Sequence, residues 1–277
     1  MTISDPGTID DLVHDAAVAG YPVTRRLVHD WVSLGLLNSP QRRRPGPHGS
    51  DKALHSAQQR RVFRLLLRAR VETPRIPLLA RIPLAVWFYW GDDWVPTQQA
   101  MRALATYVGD PRSTKAQALE SARELIAPLD DPQLGTPHLR RQLLHAVRDA
   151  LYTGNFNEEL IVARAQPLFD PMELHQAVVR SREATAPATP ETLAFELRVK
   201  MLGGALVAAG EVHASHLIAV RELWRSLPAW TGKTGTAGAD SPTGNDSDVG
   251  QPTREQIAIC GGRLLFSLGA QGRSVPE

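Results

Sequence analysis

Thr24-Arg25-Arg26-Leu27-Val28-His29-Asp30-Trp31-Val32-Ser33-Leu34-Gly35-Leu36-Leu37 is the stretch whose reading decides the fold. Thr24 can cap a helix by accepting from an early backbone N–H. Leu27, Trp31 and Leu34 recur at helical spacing, with Val28 beside them, so one face is apolar. Arg25, Arg26, His29 and Ser33 are left on the opposite face. Gly35 supplies the left-handed end, and Leu36-Leu37 tucks back onto the core. The spacing predicts a helix over 25–34 that buries one side and presents guanidinium groups on the other.

Upstream, Thr8 caps a helix over 9–19, with Asp10 and Asp11 in the first turn, where the helix dipole favours negative charge. Ile9, Leu12, Ala16 and Ala19 form its apolar face. Gly20-Tyr21-Pro22 ends it and makes the turn into the arginine-bearing helix. Downstream, Asn38–Asp51 holds Pro40, Pro45, Gly46, Pro47 and Gly49 around Arg42-Arg43-Arg44. This composition excludes a helix and fits a β-hairpin wing or a mobile basic loop. Ser56 then caps a third helix over 57–71. Val62, Leu65, Leu66 and Ala69 are its expected apolar face, and Arg60, Arg61, Arg64, Arg68 and Arg70 its basic surround.

Beyond it the texture changes. Pro74–Pro96 carries three of the six tryptophans (Trp87, Trp90, Trp94) with Phe88 and Tyr89, and reads as core around a short helix or strand near 84–90. Helical patterns follow over 97–108, 114–126, 137–153, 157–165 and 171–184. A long one runs over 190–224, with possible breaks at Gly203-Gly204 or Gly210. Proline stands near several helix starts, where its missing N–H costs nothing. Residues 231–253 are rich in Gly, Thr, Ser, Asp and Pro and read as a disordered linker. A last short helix is expected over 254–269. The chain is thus expected to be mainly α: a three-helix head with a wing over 1–73, a helical domain over 74–230 for self-association or partner binding, a linker over 231–253, and a C-terminal helix and tail over 254–277.

Composition narrows the function. The 277 residues are 43% hydrophobic, enough for a sizeable core. Net charge is only +2, but residues 1–90 hold thirteen Lys and Arg against seven Asp and Glu. This part is therefore 13 − 7 = +6 and the remainder 2 − 6 = −4, a local electrostatic footprint for a polyanion. The single cysteine, Cys260, excludes an intrachain disulfide framework or a cysteine-based zinc site and suits a reducing interior. Met1 is followed by acidic and polar residues rather than a basic, then apolar, leader. The richest apolar run, Ile76–Trp90, is broken by Pro77, Arg81 and Pro83, so no membrane span is expected. A cytoplasmic location is the expectation.

The head resembles the winged helix-turn-helix of the MerR superfamily and its excisionase-like relatives. The residues that carry the likeness are Val23-Thr24-Arg25-Arg26-Leu27 and Trp31-Val32-Ser33-Leu34-Gly35-Leu36-Leu37. Pro40, the arginine run, a Gly49-centred wing and Leu54-His55-Ser56 entering a basic helix complete it. The likeness covers about residues 8–70. His29-Asp30-Trp31 stands where the family commonly has an Arg-Tyr-Tyr-like triplet, and Ser50-Asp51 where its wing carries Tyr-Arg. The family's dimerising coiled coil and cysteine-bearing effector loop are not visible. The resemblance therefore implies a DNA-binding head, but neither metal sensing nor the usual promoter remodelling.

The residues make the same case physically. Arg25 and Arg26, on the first turn of a helix, can meet base edges in a major groove, with Thr24 and His29 beside them. Arg42, Arg43, Arg44 and Lys52, on a loop without apolar anchors, suit phosphate or minor-groove contact. Arg60, Arg61 and Arg64 could neutralise further phosphates, each steepening the salt dependence. Asp30 could pair with Arg26 at i, i+4. Double-stranded DNA is the expected partner, bound by a homodimer formed through the helical region. A transcriptional regulator or excisionase-like factor is the first reading. An adaptor whose head docks protein is the second, and a regulator that senses a small molecule among Trp87, Trp90 and Trp94 is the third.

Enzyme readings find little support. Gly232-Lys233-Thr234 has the end of a phosphate loop, but Leu227 stands where its first glycine belongs. His213 and His216, near Glu211, lack a second cluster to complete a metal site. Asp130-Asp131 and Glu158-Glu159 read as loop or helix-start charges, and Cys260 as a small buried residue. No catalytic residue, metal or cofactor is expected.

Overall fold

The computed structural model describes residues 5–41, 53–110, 112–126, 136–169, 189–226 and 252–272. These are mainly helical, and strand-like pairing among them is limited to two isolated bridges. The chain divides into two compact units. One comprises residues 1–107 and 212–263, the other 108–211 and 264–277.

The first unit begins with three helices: α1 (Ile9–Val18), α2 (Arg25–Ser33) and α3 (Ala57–Glu72). Each has a hydroxyl cap. Thr8 and Asp11 form a reciprocal capping box, with the Thr8 N–H donating to Asp11 Oδ2 at 2.6 Å and the Asp11 N–H to Thr8 Oγ1 at 3.3 Å. These bonds from Thr8 hold the Asp11 carboxyl below its usual range. Thr24 accepts from Leu27 N, and Ser56 from Gln59 N. Leu12, Ala16, Val28, Trp31, Leu36, Leu37, Val62, Phe63 and Leu66 are all buried. Trp31 meets Phe63 edge-on at 5.6 Å. Two antiparallel bridges, Gly7 with His55 and Gln41 with Leu54, tie the entry to α1 and the exit from α2 to the segment entering α3.

The apolar face of α3 differs from the expected one. Val62 and Leu66 are buried as anticipated, but Phe63 and Leu67 are buried in place of Leu65 and Ala69, which are only half-covered. The face is rotated because α3 is covered by more than α1, with which it packs: it also packs on α4 (Ile76–Trp90). The glutamine on this face, Gln59, is buried and fully used. Its Oε1 accepts from Asn38 N (2.8 Å), and its Nε2 donates to the Trp94 carbonyl (2.7 Å) and to Gln99 Oε1 (2.8 Å). Gln99, on α5 (Thr97–Val108), in turn donates to the Leu36 carbonyl at 3.1 Å. The head expected to end near residue 73 is therefore bonded to α5 directly.

α4 corrects the expectation of a short helix or strand over 84–90. It is a 15-residue helix that contains Pro83. Pro77 sits in the first turn, where no N–H is needed. Pro83 removes one interior bond, but Leu79, Ala80 and Ile82 through Phe88 are buried, and that burial outweighs the loss. α10 (Ala214–Ser226) and the first half of α11 (Arg254–Gly272) complete this unit.

The second unit is built from α6 (Lys115–Ile126), α7 (Pro137–Thr153), α8 (Glu158–Ala165), a 3-10 turn (Gln166–Leu168) and α9 (Pro190–Ala208), with the end of α11. Ala118, Ala122, Leu143, Val147, Ile161, Ala165, Ala194 and Leu197 are among its core residues. The pattern expected over 190–224 is broken at Gly210, which has φ +73°. The predicted helix over 171–184 and all but the last two residues of the linker predicted over 231–253 lie outside the described residues. Among the described residues, no helix is long and apolar enough to cross a membrane.

Candidate nucleic-acid interface

α2 is two-sided. Val28 and Trp31 are buried, while Arg25, Arg26, His29, Asp30 and Ser33 are exposed. Thr24 fixes where the helix begins, so Arg25 and Arg26 lie in its first turn. Arg25 Nη2 lies 2.5 Å from Asp10 Oδ1 on α1, with both side chains more than half exposed. Such a pair contributes at most about 1 kcal/mol and yields readily to a competing partner. Among the described residues no ion pair joins Arg26 to Asp30, although the spacing permits one. The Ser33 hydroxyl donates back to the Asp30 carbonyl (2.8 Å).

Arg42, Arg43, Arg44 and Lys52 lie outside the described residues. What is described is the pair of residues on either side of that segment. Gln41 and Leu54 exchange both backbone hydrogen bonds, at 2.8 and 3.0 Å, so the chain leaves and returns at one antiparallel pair.

The three α3 arginines expected to meet DNA, Arg60, Arg61 and Arg64, divide. Arg60 is committed inside the head. Its Nε and Nη2 reach Asp15 Oδ2 at 2.9 and 2.7 Å, its Nη1 donates to the Asp5 carbonyl at 2.8 Å, and its side chain is 13% exposed. The expectation that it meets phosphate is corrected: it pins α1 to α3. Arg61 lies over the Trp94 ring, 5.8 Å from its centroid. Arg61 and Arg64 are half-buried. Sequence reading missed Asp10 and Asp15, because only the fold brings α1 against α2 and α3.

His55 adds a buried titratable group behind the exposed one on α2. Burial lowers its pKa from the usual 6.5, contact with the Asn38 backbone opposes this, and the charge of His29 lowers it further. Its Nδ1 has no hydrogen-bond partner.

Trp87 is buried, and its Nε1 donates to Thr97 Oγ1 at 3.1 Å, while Trp90 and Trp94 are half-covered. The His213 N–H donates to His216 Nδ1 at 3.2 Å, a local cap at the start of α10. Among the described residues no three His, Cys, Asp or Glu side chains are grouped to hold a metal. Cys260 is fully buried, and burial pushes its thiol up to about 12, which keeps it protonated and unreactive. Gly232-Lys233-Thr234 lies outside the described residues. Comparison with known proteins finds no matching family model, no similar curated protein and no similar solved structure.

Proposed function

We propose that residues 1–73 are a winged helix-turn-helix that binds duplex DNA with sequence preference, with α2 as the recognition helix and the loop after Gln41 as the wing. The observation that supports it best is the two-sidedness of α2. A capped helix buries Val28 and Trp31 and offers Arg25, Arg26 and His29 outward from its first turns. Arginine forks there match guanine O6 and N7 in a major groove. The Gln41–Leu54 bridge supports a wing carrying Arg42, Arg43 and Arg44 out from the head. Arg60 has no part in this contact, and its role is to hold α1 and α3 together.

The chain acts as a regulator or excisionase-like factor rather than an enzyme, and works as a homodimer so that two heads meet two half-sites. Binding is tested with genomic and random duplex across a salt series. Genomic fragments captured by the chain should exceed random duplex in affinity, and changing Arg25 and Arg26 to Ala should reduce that ratio by about tenfold or more. Light scattering at the same concentrations should give the mass of a dimer. A protein-docking head is the competing reading, and Asp10 against Arg25 and Asp30 on α2 itself favour it. It predicts weak binding to every duplex and no response to the double substitution.

A further inference from the structure

Within the first unit, away from α2, two guanidinium groups converge on a residue with no side chain. Gly91 ends α4 at φ +91°, and a Cβ placed there would lie 3.8 Å from Arg221 Nη1 and 3.8 Å from Arg225 Nη2. Both arginines come from α10, one turn apart. Arg221 is only 9% exposed. One edge of its fork is used, with Nη2 donating to Asp92 Oδ2 at 2.9 Å. Its face covers the Trp87 ring at 4.6 Å. Its Nε and Nη1 are buried and have no hydrogen-bond acceptor. A buried guanidinium with two unused donors is a costly arrangement, because those N–H groups have given up water and received nothing.

The carboxylates nearby do not fill the gap. Asp92 is shared: its Oδ1 accepts from the Thr97 backbone N–H at 2.8 Å and from the Thr97 hydroxyl. Glu222 is exposed and acts on Arg225 only through space. Arg225 is held below its usual pKa, by burial first and then by Arg221, against the pull of Asp92 and Glu222. A third guanidinium is close by. Arg263 stacks on Trp224 at 4.7 Å, with Nη1 3.5 Å from the hydroxyl of Tyr89, the residue whose carbonyl accepts from Arg225.

We propose that Arg221 and Arg225, opposite Gly91, form a binding site for a small oxyanion, of the phosphoryl kind. Phosphate oxygens would accept from Arg221 Nη1 and from the Arg225 fork, in the geometry that arginine pairs offer to oxyanions. Gly91 places no side chain between the two guanidinium groups. Entry is from the Arg225 side, since that residue is exposed and Arg221 lies beneath. The proposal does not rest on DNA binding, because none of these residues belongs to the head.

The test uses the full chain and inorganic phosphate, with acetate and chloride at matched ionic strength. Calorimetric titration should show saturable phosphate binding, with acetate weaker and chloride negligible. Arg225→Gln, on an exposed residue, leaves folding intact and should weaken phosphate binding by about tenfold or more. Arg221→Lys keeps the charge but removes the fork, and should weaken it similarly. Changing Arg25 and Arg26 to Ala should leave it unchanged, which separates this site from phosphate taken up by the head. Phosphate that binds no better than chloride, or binds Arg225→Gln as well as the parent chain, overturns the proposal.

Discussion

Asp15 and Arg60 are the residues on which the head is pinned. The carboxylate accepts two of the guanidinium's N–H groups and is itself almost wholly buried. Removing one partner strands the other in a poor solvent, a larger effect than the pair's own attraction. Asp15→Asn should therefore cost about 3 kcal/mol in urea unfolding, and Asp10→Asn, which touches the exposed Arg25, at most about 1 kcal/mol. A similar loss for both substitutions would show that burial does not separate the two pairs. His55 gives the head a pH dependence. In the unfolded chain it takes up a proton near 6.5, and in the folded head burial pushes that point lower. The folded state thus binds fewer protons below 6.5, so stability is intact above it and falls as the pH drops toward the folded value. Unfolding measured as the pH is lowered from 6.5 should show a slope that His55→Gln reduces. A slope unchanged by that substitution would place the dependence elsewhere.

Elements were legible where local chemistry decides them and obscure where distant partners do. Thr8, Thr24 and Ser56 announce three helix starts, and all three cap as their side chains require. Gly35 ends α2 as its position predicts, with φ +73°. What could not be read is that a Cβ at Gly35 would come within 2.5 Å of the Ala103 amide and of Arg102 Cβ on α5. Pro83 reads as a breaker because its local effect is unfavourable, and only the burial around it reverses that. Likewise Gln59 looks like a surface residue until Asn38, Trp94 and Gln99 are placed around it. Of the candidate interface, α2 was legible, while the diversion of Arg60 to Asp15 depended on tertiary packing. The two glycine environments can be told apart. Gly35→Ala combines left-handed strain with a clash against backbone and should cost about 3 kcal/mol or more. Gly20→Ala, at φ +84° with nothing within 4 Å, should cost only the strain, about 1 kcal/mol. Equal losses in thermal unfolding would mean that α5 gives way. In the second unit, a Cβ at Gly203 would run into the Leu265 carbonyl, and one at Gly269 into the Val199 carbonyl. α9 and α11 thus approach backbone to backbone through reciprocal glycines. Alanine favours an isolated helix by up to about 1 kcal/mol over glycine, so a destabilising Gly203→Ala or Gly269→Ala would report the close approach. The double variant should lose less than the sum, because the first substitution already separates the helices.

At the scale of the whole chain, the charge is divided while the sum stays near zero. The first ninety residues carry +6 and the rest −4. A uniformly basic protein would bind any polyanion over much of its surface. Here most of the positive charge belongs to the head, where eleven Lys and Arg stand against seven Asp and Glu over residues 1–73, and part of it is neutralised there: Arg60 by Asp15, and Arg25 by Asp10. Arg42, Arg43 and Arg44, between Gln41 and Leu54, have few acids beside them in sequence, Asp51 being the nearest. On the proposed function, they would supply the sequence-independent part of duplex affinity, and α2 the sequence-dependent part. The two contributions respond differently to salt. Each phosphate neutralised releases condensed counterions, so the logarithm of affinity falls with the logarithm of salt concentration by about 0.9 per contact. Replacing Arg42, Arg43 and Arg44 by Ala should flatten that slope by up to about 2.7 and weaken genomic and random duplex alike. Replacing Arg25 and Arg26 should instead bring the two duplexes' affinities together with a smaller change of slope. If the triple variant keeps the parent slope, Arg42, Arg43 and Arg44 do not meet phosphates, and the wing part of the proposal fails.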